Sequence, residues 1–237
     1  MNETEDIREV IRRAVTDSTL ISRRFELARV ATDSLRNLSV DLEVSGRLLG
    51  NDRVNGVSPK GNGSDETVAV ALTLRIASEL IGSCALLFAE GRHYSAAALL
   101  RQLAEVDYLA WSFATRDRDG ERWLRSTREE REEFFRPARL RRASQGRFRD
   151  QDYRYHCELG GHPVPRADIL FGVNAEHSAQ LLLSDALGHI GHIWNHVVTW
   201  ARSHGHSDSV DRHAGELPTR HRSLYPDDPL FRLPPPP

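Results

Sequence analysis

The run ETVAVALTLRIASELIGSCALLFAEGRHYSAAALLRQLAEVDYLAWSFAT, residues 66–115, decides the fold. Its first half, 66–90, is apolar nearly all round, with Arg75 and Glu79 the only charges between Thr67 and Ala89. A helix with no polar face belongs at the centre of a bundle. Gly91-Arg92-His93 then predicts a tight reversal, and a second rich helix follows over 94–115, carrying Leu99, Leu100, Leu103, Val106, Leu109, Trp111 and Phe113. So short a connection makes the two an antiparallel helical hairpin.

Proline placement extends this reading outward. Of 11 prolines, seven lie beyond Leu217, and the spans 1–58, 60–136 and 166–217 hold no obligatory helix breaker. Apolar spacing in those spans is helical, and no strand pattern is found. A short amphipathic helix is predicted over 4–15 and a longer one over 18–49, in which Ile21, Phe25, Ala28, Leu35, Leu42 and Leu49 keep a spacing near seven. That stripe suits shallow packing against another helix and suggests a homodimer. Residues 51–65, rich in Gly, Asn and Ser, read as a flexible linker. The charged segment 116–149 holds shorter helices broken near Pro137 and Gly146, followed by a Gly160-Gly161-His162-Pro163 loop. A last long helix runs from an Asn174 cap to His204. The expected organisation is all-α: N-terminal helices over 1–50, a bundle core over 66–204, and a proline-rich, poorly ordered tail over 205–237.

Composition narrows the function classes. At 237 residues and 26.8 kDa the chain is long enough to bury about 70% of its surface, so no disulfide or metal staple is required. Thirty-four acids against 32 bases give a net charge of −2, which provides no overall field for nucleic acid. Cys84 and Cys157 form neither a disulfide framework nor a paired metal motif, and imply a reducing, cytoplasmic setting. An acidic start argues against a secretory leader. The apolar stretch 76–89 contains Ser78 and Glu79 and is short for a bilayer span, so no membrane partner is expected.

Three constellations could carry chemistry. The hairpin bears two Arg-x-x-x-Glu pairs, Arg75 with Glu79 and Arg101 with Glu105, at the spacing that lets side chains meet. Residues 79 and 105 are each 13 from Arg92, which sets both carboxylates at one height and predicts a shared patch. Such a patch could work as an acid/base pair, a metal site or an anion site. It could equally be an ion-pair network that fixes helix register. On the last helix Asp185, His189, His192, His196, Thr199 and Ser203 recur at steps of four and three. Three imidazoles and a carboxylate would suit zinc, iron or manganese, although the opposite stripe of Leu183, Leu187, Ile190, Trp194, Val197 and Ala201 also allows a plain solvent face. From Arg136 to Arg154 seven arginines face only Asp150 and Asp152, interleaved with Phe148 and Tyr153. Arginines with aromatics are the parts of a single-stranded nucleic-acid surface, and also of an ordinary solvated helix. Cys157 beside His156 reads either as a thiol nucleophile or as a small buried hydrophobe.

The run 90–105, EGRHYSAAALLRQLAE, resembles a bacterial all-helical family of unknown function that is itself distantly similar to HEPN domains. That resemblance implies an RNA- or nucleotide-directed protein of toxin or phage-defence systems, with an antitoxin or defence partner. HEPN ribonucleases carry an arginine followed, after four to six residues, by a histidine, and Arg149-Asp150-Gln151-Asp152-Tyr153-Arg154-Tyr155-His156 fits. The resemblance then implies that His156 handles the 2′-hydroxyl or leaving-group proton while Arg149 stabilises the phosphorane, without a metal. His162, reached from Arg154, offers a substitute. The other reading of the chain is a non-enzymatic bundle that binds a metal or small anion, or a structural partner protein.

Overall fold

A computed structural model describes residues 6–48 and 64–232, and no strand occurs among them. The linker expected over 51–65 lies almost wholly outside the described residues, as does the tetraproline end. Asp6 caps α1 (Ile7–Thr16) by accepting from the Arg8 amide at 3.0 Å. Asp17 does the same for α2 (Ser18–Leu48) through the Thr19 and Leu20 amides. Ser64 opens α3 (Asp65–Ala89) with a side-chain bond from the Thr67 amide. Gly91, at φ 71°, makes the reversal into α4 (His93–Thr115). The hairpin is formed within a residue of its expected limits.

α3 packs most extensively along α2, and α4 lies between α3 and a long α9 (Ala175–His204). Ala28, Leu35 and Leu42 of the α2 stripe are fully buried in that contact. The heptad-like stripe is therefore consumed inside the chain and gives no argument for a dimer. α3 as a whole is long and apolar enough to cross a membrane by length and composition, unlike the shorter stretch 76–89, but in this fold its apolar residues Leu74, Ala77 and Ile81 form the bundle centre. Burying each such leucine or isoleucine contributes about 1.5–3 kcal/mol.

The charged segment folds onto the ends of these helices. α5 (Asp119–Arg125) is capped from outside: the buried Glu66 carboxylate accepts from the Gly120 and Glu121 amides at 3.3 and 2.6 Å. α6 (Arg128–Glu130) begins with a capping box at Thr127 and runs into a π turn. Pro137 starts α7 (Pro137–Ala143). α8 (Asp150–His156) continues into a second π turn, Cys157–Gly161. Gly160 is what lets this turn approach: a Cβ there would meet the Ala98 amide nitrogen at 2.3 Å. The contact fixes α8 across α4 and beside α9.

Residues 205–232 of the expected proline-rich tail are not an extended appendage. α10 (Ser207–Ala214), α11 (Leu217–Asp227) and a 3₁₀ turn, Pro229–Arg232, fold back on α2 and α9 and bury Val210, Leu217, Leu224 and Leu230. Pro218 sits in the first turn of α11, where its missing N–H costs nothing, and Pro226 in the last. Asp228 closes the fold. It receives Arg24 through two bonds of 2.6 and 2.9 Å, both side chains wholly buried, while Gln180 and the Ala14 carbonyl take one guanidinium hydrogen each.

Candidate functional site

The hairpin ion pairs do not form one patch. Arg75 and Glu79 are exposed and 4.0 Å apart, with Arg75 turned toward Glu43 of α2. Arg101 and Glu105 are half-buried on another side of the hairpin, bonded at 3.1 Å, and Glu105 also accepts from the Tyr153 hydroxyl at 2.7 Å. Equal height along a hairpin does not fix direction around it, which is why the shared patch fails. The Arg101–Glu105 pair instead helps to seat α8.

A denser cluster forms where α4, α8 and α9 meet. Its anchor is Asp107, wholly buried on α4, which the sequence reading does not single out. Asp107 Oδ2 accepts from His189 Nδ1 at 3.0 Å and His192 Nδ1 at 3.2 Å, and His196 Nε2 stands 3.6 Å from Oδ1. Burial alone would raise the Asp107 pKa, but its bonds from the two histidines outweigh that and hold it down at about 2. An ionised carboxylate only accepts, so His189 and His192 both place a proton on Nδ1. The histidine stripe is therefore an inward face: His189 and His196 are largely buried, and only His192 is exposed. The three imidazoles surround Asp107 and do not converge on one point as a ligand set.

What His189 offers beyond Asp107 is its Nε2. That atom lies 3.4 Å from His156 Nε2, and Asp185 Oδ2 lies 3.4 Å from the same His156 nitrogen. His156 is buried, its Nδ1 has no hydrogen-bond partner, and burial lowers its pKa to about 4 despite the pull of Asp185. His189 is the opposite case: burial opposes its charge, yet the Asp107 bond and the neighbouring aspartates raise its pKa. Two imidazole nitrogens facing each other at 3.4 Å need a proton or a cation between them. His196, pushed to about 4 mainly by burial, faces Arg147 at 3.3 Å.

Among the described residues two sets of donors could hold an ion, Asp107 with His189 and His192, or His156 with Asp185 and His189. The first would take the ion through nitrogens whose protons already serve Asp107, and around a fully enclosed carboxylate. The second uses the two Nε2 atoms that face each other, keeps Asp107 behind His189 as its orienting carboxylate, and reaches solvent through the 42%-exposed Asp185 side chain. It is the better ligand set.

No family model matches the chain, and no curated protein or solved structure does so either.

Arg149 is exposed at the start of α8 and neither bonds nor pairs with His156, which is buried two turns on. His162 is exposed, and Arg154 is exposed and paired with Asp150 at 2.6 Å. Cys157 is half-buried, and burial raises its thiol pKa, which leaves it protonated near neutrality. Cys84 is core, with its pKa pushed up to about 12. Asn174 occupies the α9 cap position without a side-chain cap bond.

Proposed function

We propose that the protein is a metal-binding helical bundle whose centre is His156, His189 and Asp185. The observation that carries this reading is the convergence of two Nε2 atoms and a carboxylate oxygen, with two edges of 3.4 Å meeting at His156 Nε2 and all three atoms within 4.8 Å of one another. Donors around a tetrahedral ion with bonds of roughly 2.0–2.1 Å stand roughly 3.3–3.4 Å apart. Asp107 fixes the His189 ring and tautomer from behind, the support that metal-ligating histidines generally have. Three protein donors with an edge open to solvent leave room for a bound water, whose pKa an ion of this class lowers, so metal-assisted hydrolysis is the reaction class the centre suits.

Equilibrium dialysis of the purified protein against Zn²⁺, Mn²⁺ or Fe²⁺, with elemental analysis, tests the reading. Near-stoichiometric binding is expected, reduced at least tenfold by His156→Ala and by Asp185→Asn. Binding that neither substitution changes would refute it.

A second reading keeps the protein RNA- or nucleotide-directed, in a cytoplasmic toxin or defence setting. It is favoured by the exposed guanidiniums of Arg139, Arg142, Arg147, Arg149 and Arg154 around the same segment. The two part on one assay. Cleavage of RNA that survives a chelator and is lost in Arg149→Ala supports the metal-independent route, whereas chelator-sensitive cleavage places the chemistry at the metal centre.

A further inference from the structure

Away from the histidines, α4, α5 and α7 enclose a cleft of about 280 Å³ walled by Leu109, Trp123, Phe135, Pro137 and Leu140. Phe135 and Leu140 are buried and the other three half-buried, so the wall is apolar and still open to solvent. Two local features shape it. The π turn Arg131–Phe135 brings Phe135 into the wall, and single π turns recur at functional sites. Pro137 holds the preceding Arg136 in extended backbone, with ψ at 145°, where its exposed side chain lines the cleft.

Four charged side chains line this space, and two of them are already engaged. Arg131 donates to the Ser126 carbonyl, and Glu132 pairs with Arg128 at 3.0 Å. Glu105 uses only Oε1, which accepts from both Arg101 and Tyr153. Its Oε2 and the Arg136 guanidinium have no hydrogen bond or ion pair among the described residues. The cleft therefore offers one open acceptor and one open fork of donors beside an aromatic wall. A guanidinium fork matches a carboxylate through two parallel bonds, and a carboxylate oxygen accepts from an amine or hydroxyl. Pockets for drug-sized ligands hold about 300–1,000 Å³, and a space just below that range suits one ring rather than a nucleotide or a peptide.

We infer that this cleft binds a small aromatic acid that also carries an amine or a hydroxyl. Arg136 takes the ligand carboxylate, Glu105 Oε2 accepts from the amine or hydroxyl, and the ring lies against Trp123 and Phe135. None of the proposed metal ligands lines the cleft, so this second site does not rest on the metal-binding reading.

Titration calorimetry of the full chain with para-aminobenzoate, benzoate and aniline, in buffer containing a chelator, tests the assignment. Saturable binding of para-aminobenzoate is expected, with benzoate and aniline each at least tenfold weaker because each lacks one of the two polar groups. Arg136→Ala should weaken para-aminobenzoate at least tenfold and leave aniline unchanged, while Arg139→Ala, an exposed arginine outside the cleft, changes neither. Glu105→Gln should remove the advantage over benzoate; should it unseat α8, the exposed Arg136→Ala decides alone. No saturable binding, equal affinity for all three compounds, or affinity that Arg136→Ala leaves intact overturns the inference. Binding seen only without chelator places the carboxylate on the metal centre, which overturns the cleft and leaves the metal reading standing.

Discussion

Two of the regions in which this molecule buries charge do it differently. Around Arg24 every guanidinium nitrogen is bonded: Asp228 takes two hydrogens, Gln180 and Ala14 take one each, and the Leu230 amide donates to Asp228 at 3.1 Å. Around Asp107 the accounts stay open, with Asp107 Oδ1, His156 Nδ1 and Asp152 Oδ1 all buried and without hydrogen bonds. A closed network locates chain segments, here tying the C-terminal turn to α1, α2 and α9. An open one keeps polar atoms available to something that is not part of the chain.

The largest expected effect sharpens the closed side. Arg24→Met leaves Asp228 ionised and unpaired in the core and should cost about 3–5 kcal/mol by urea denaturation, whereas Arg24→Met with Asp228→Leu should recover most of it. A cost for the single change no larger than that of a surface substitution would mean the pair does not hold the C-terminal segment. On the open side, Asp107→Asn should weaken metal binding by about 10–100-fold while leaving the ligands in place. Unchanged affinity would remove Asp107 from its role behind His189.

Acid should act through histidines outside this centre too. His206 stacks on Trp200 and bonds Thr67, and burial, helped by His204, lowers its pKa. A lowered histidine pKa means the unfolded chain binds more protons between the folded and unfolded values, so stability falls as pH drops through that window. Denaturation midpoints followed from about pH 7 down to about pH 5 should show this fall, reduced in His206→Gln. A slope that the substitution leaves untouched would assign the acid sensitivity elsewhere. Smallest of all, Glu79→Ala should change stability by no more than about 0.5 kcal/mol, because its partner Arg75 is exposed and 4.0 Å away. A larger loss would mean this pair is more than a solvated contact.

The helices were legible because their apolar residues are dense and regular: the hairpin and α9 begin and end within a residue of expectation. The tail was not. Proline count suggested an extended chain, but Leu217, Leu224 and Leu230 already carried the spacing of a buried face, and Pro218 stands where a helix tolerates it. In the site, the stripe of Asp185, His189, His192 and His196 was visible as a period, yet its direction was not, since an inward polar face and a solvent face look alike without the partner helix. Asp107 gave little signal as one acid in an apolar helix. Its meaning depends on α9 lying across it.

Crystals soaked in Zn²⁺ and measured on both sides of the zinc edge test the central claim most directly. One dominant anomalous peak is expected between His156 Nε2 and His189 Nε2, within bonding distance of Asp185. A peak among Asp107, His189 and His192 instead, or none in a crystal that carries zinc elsewhere, would contradict it.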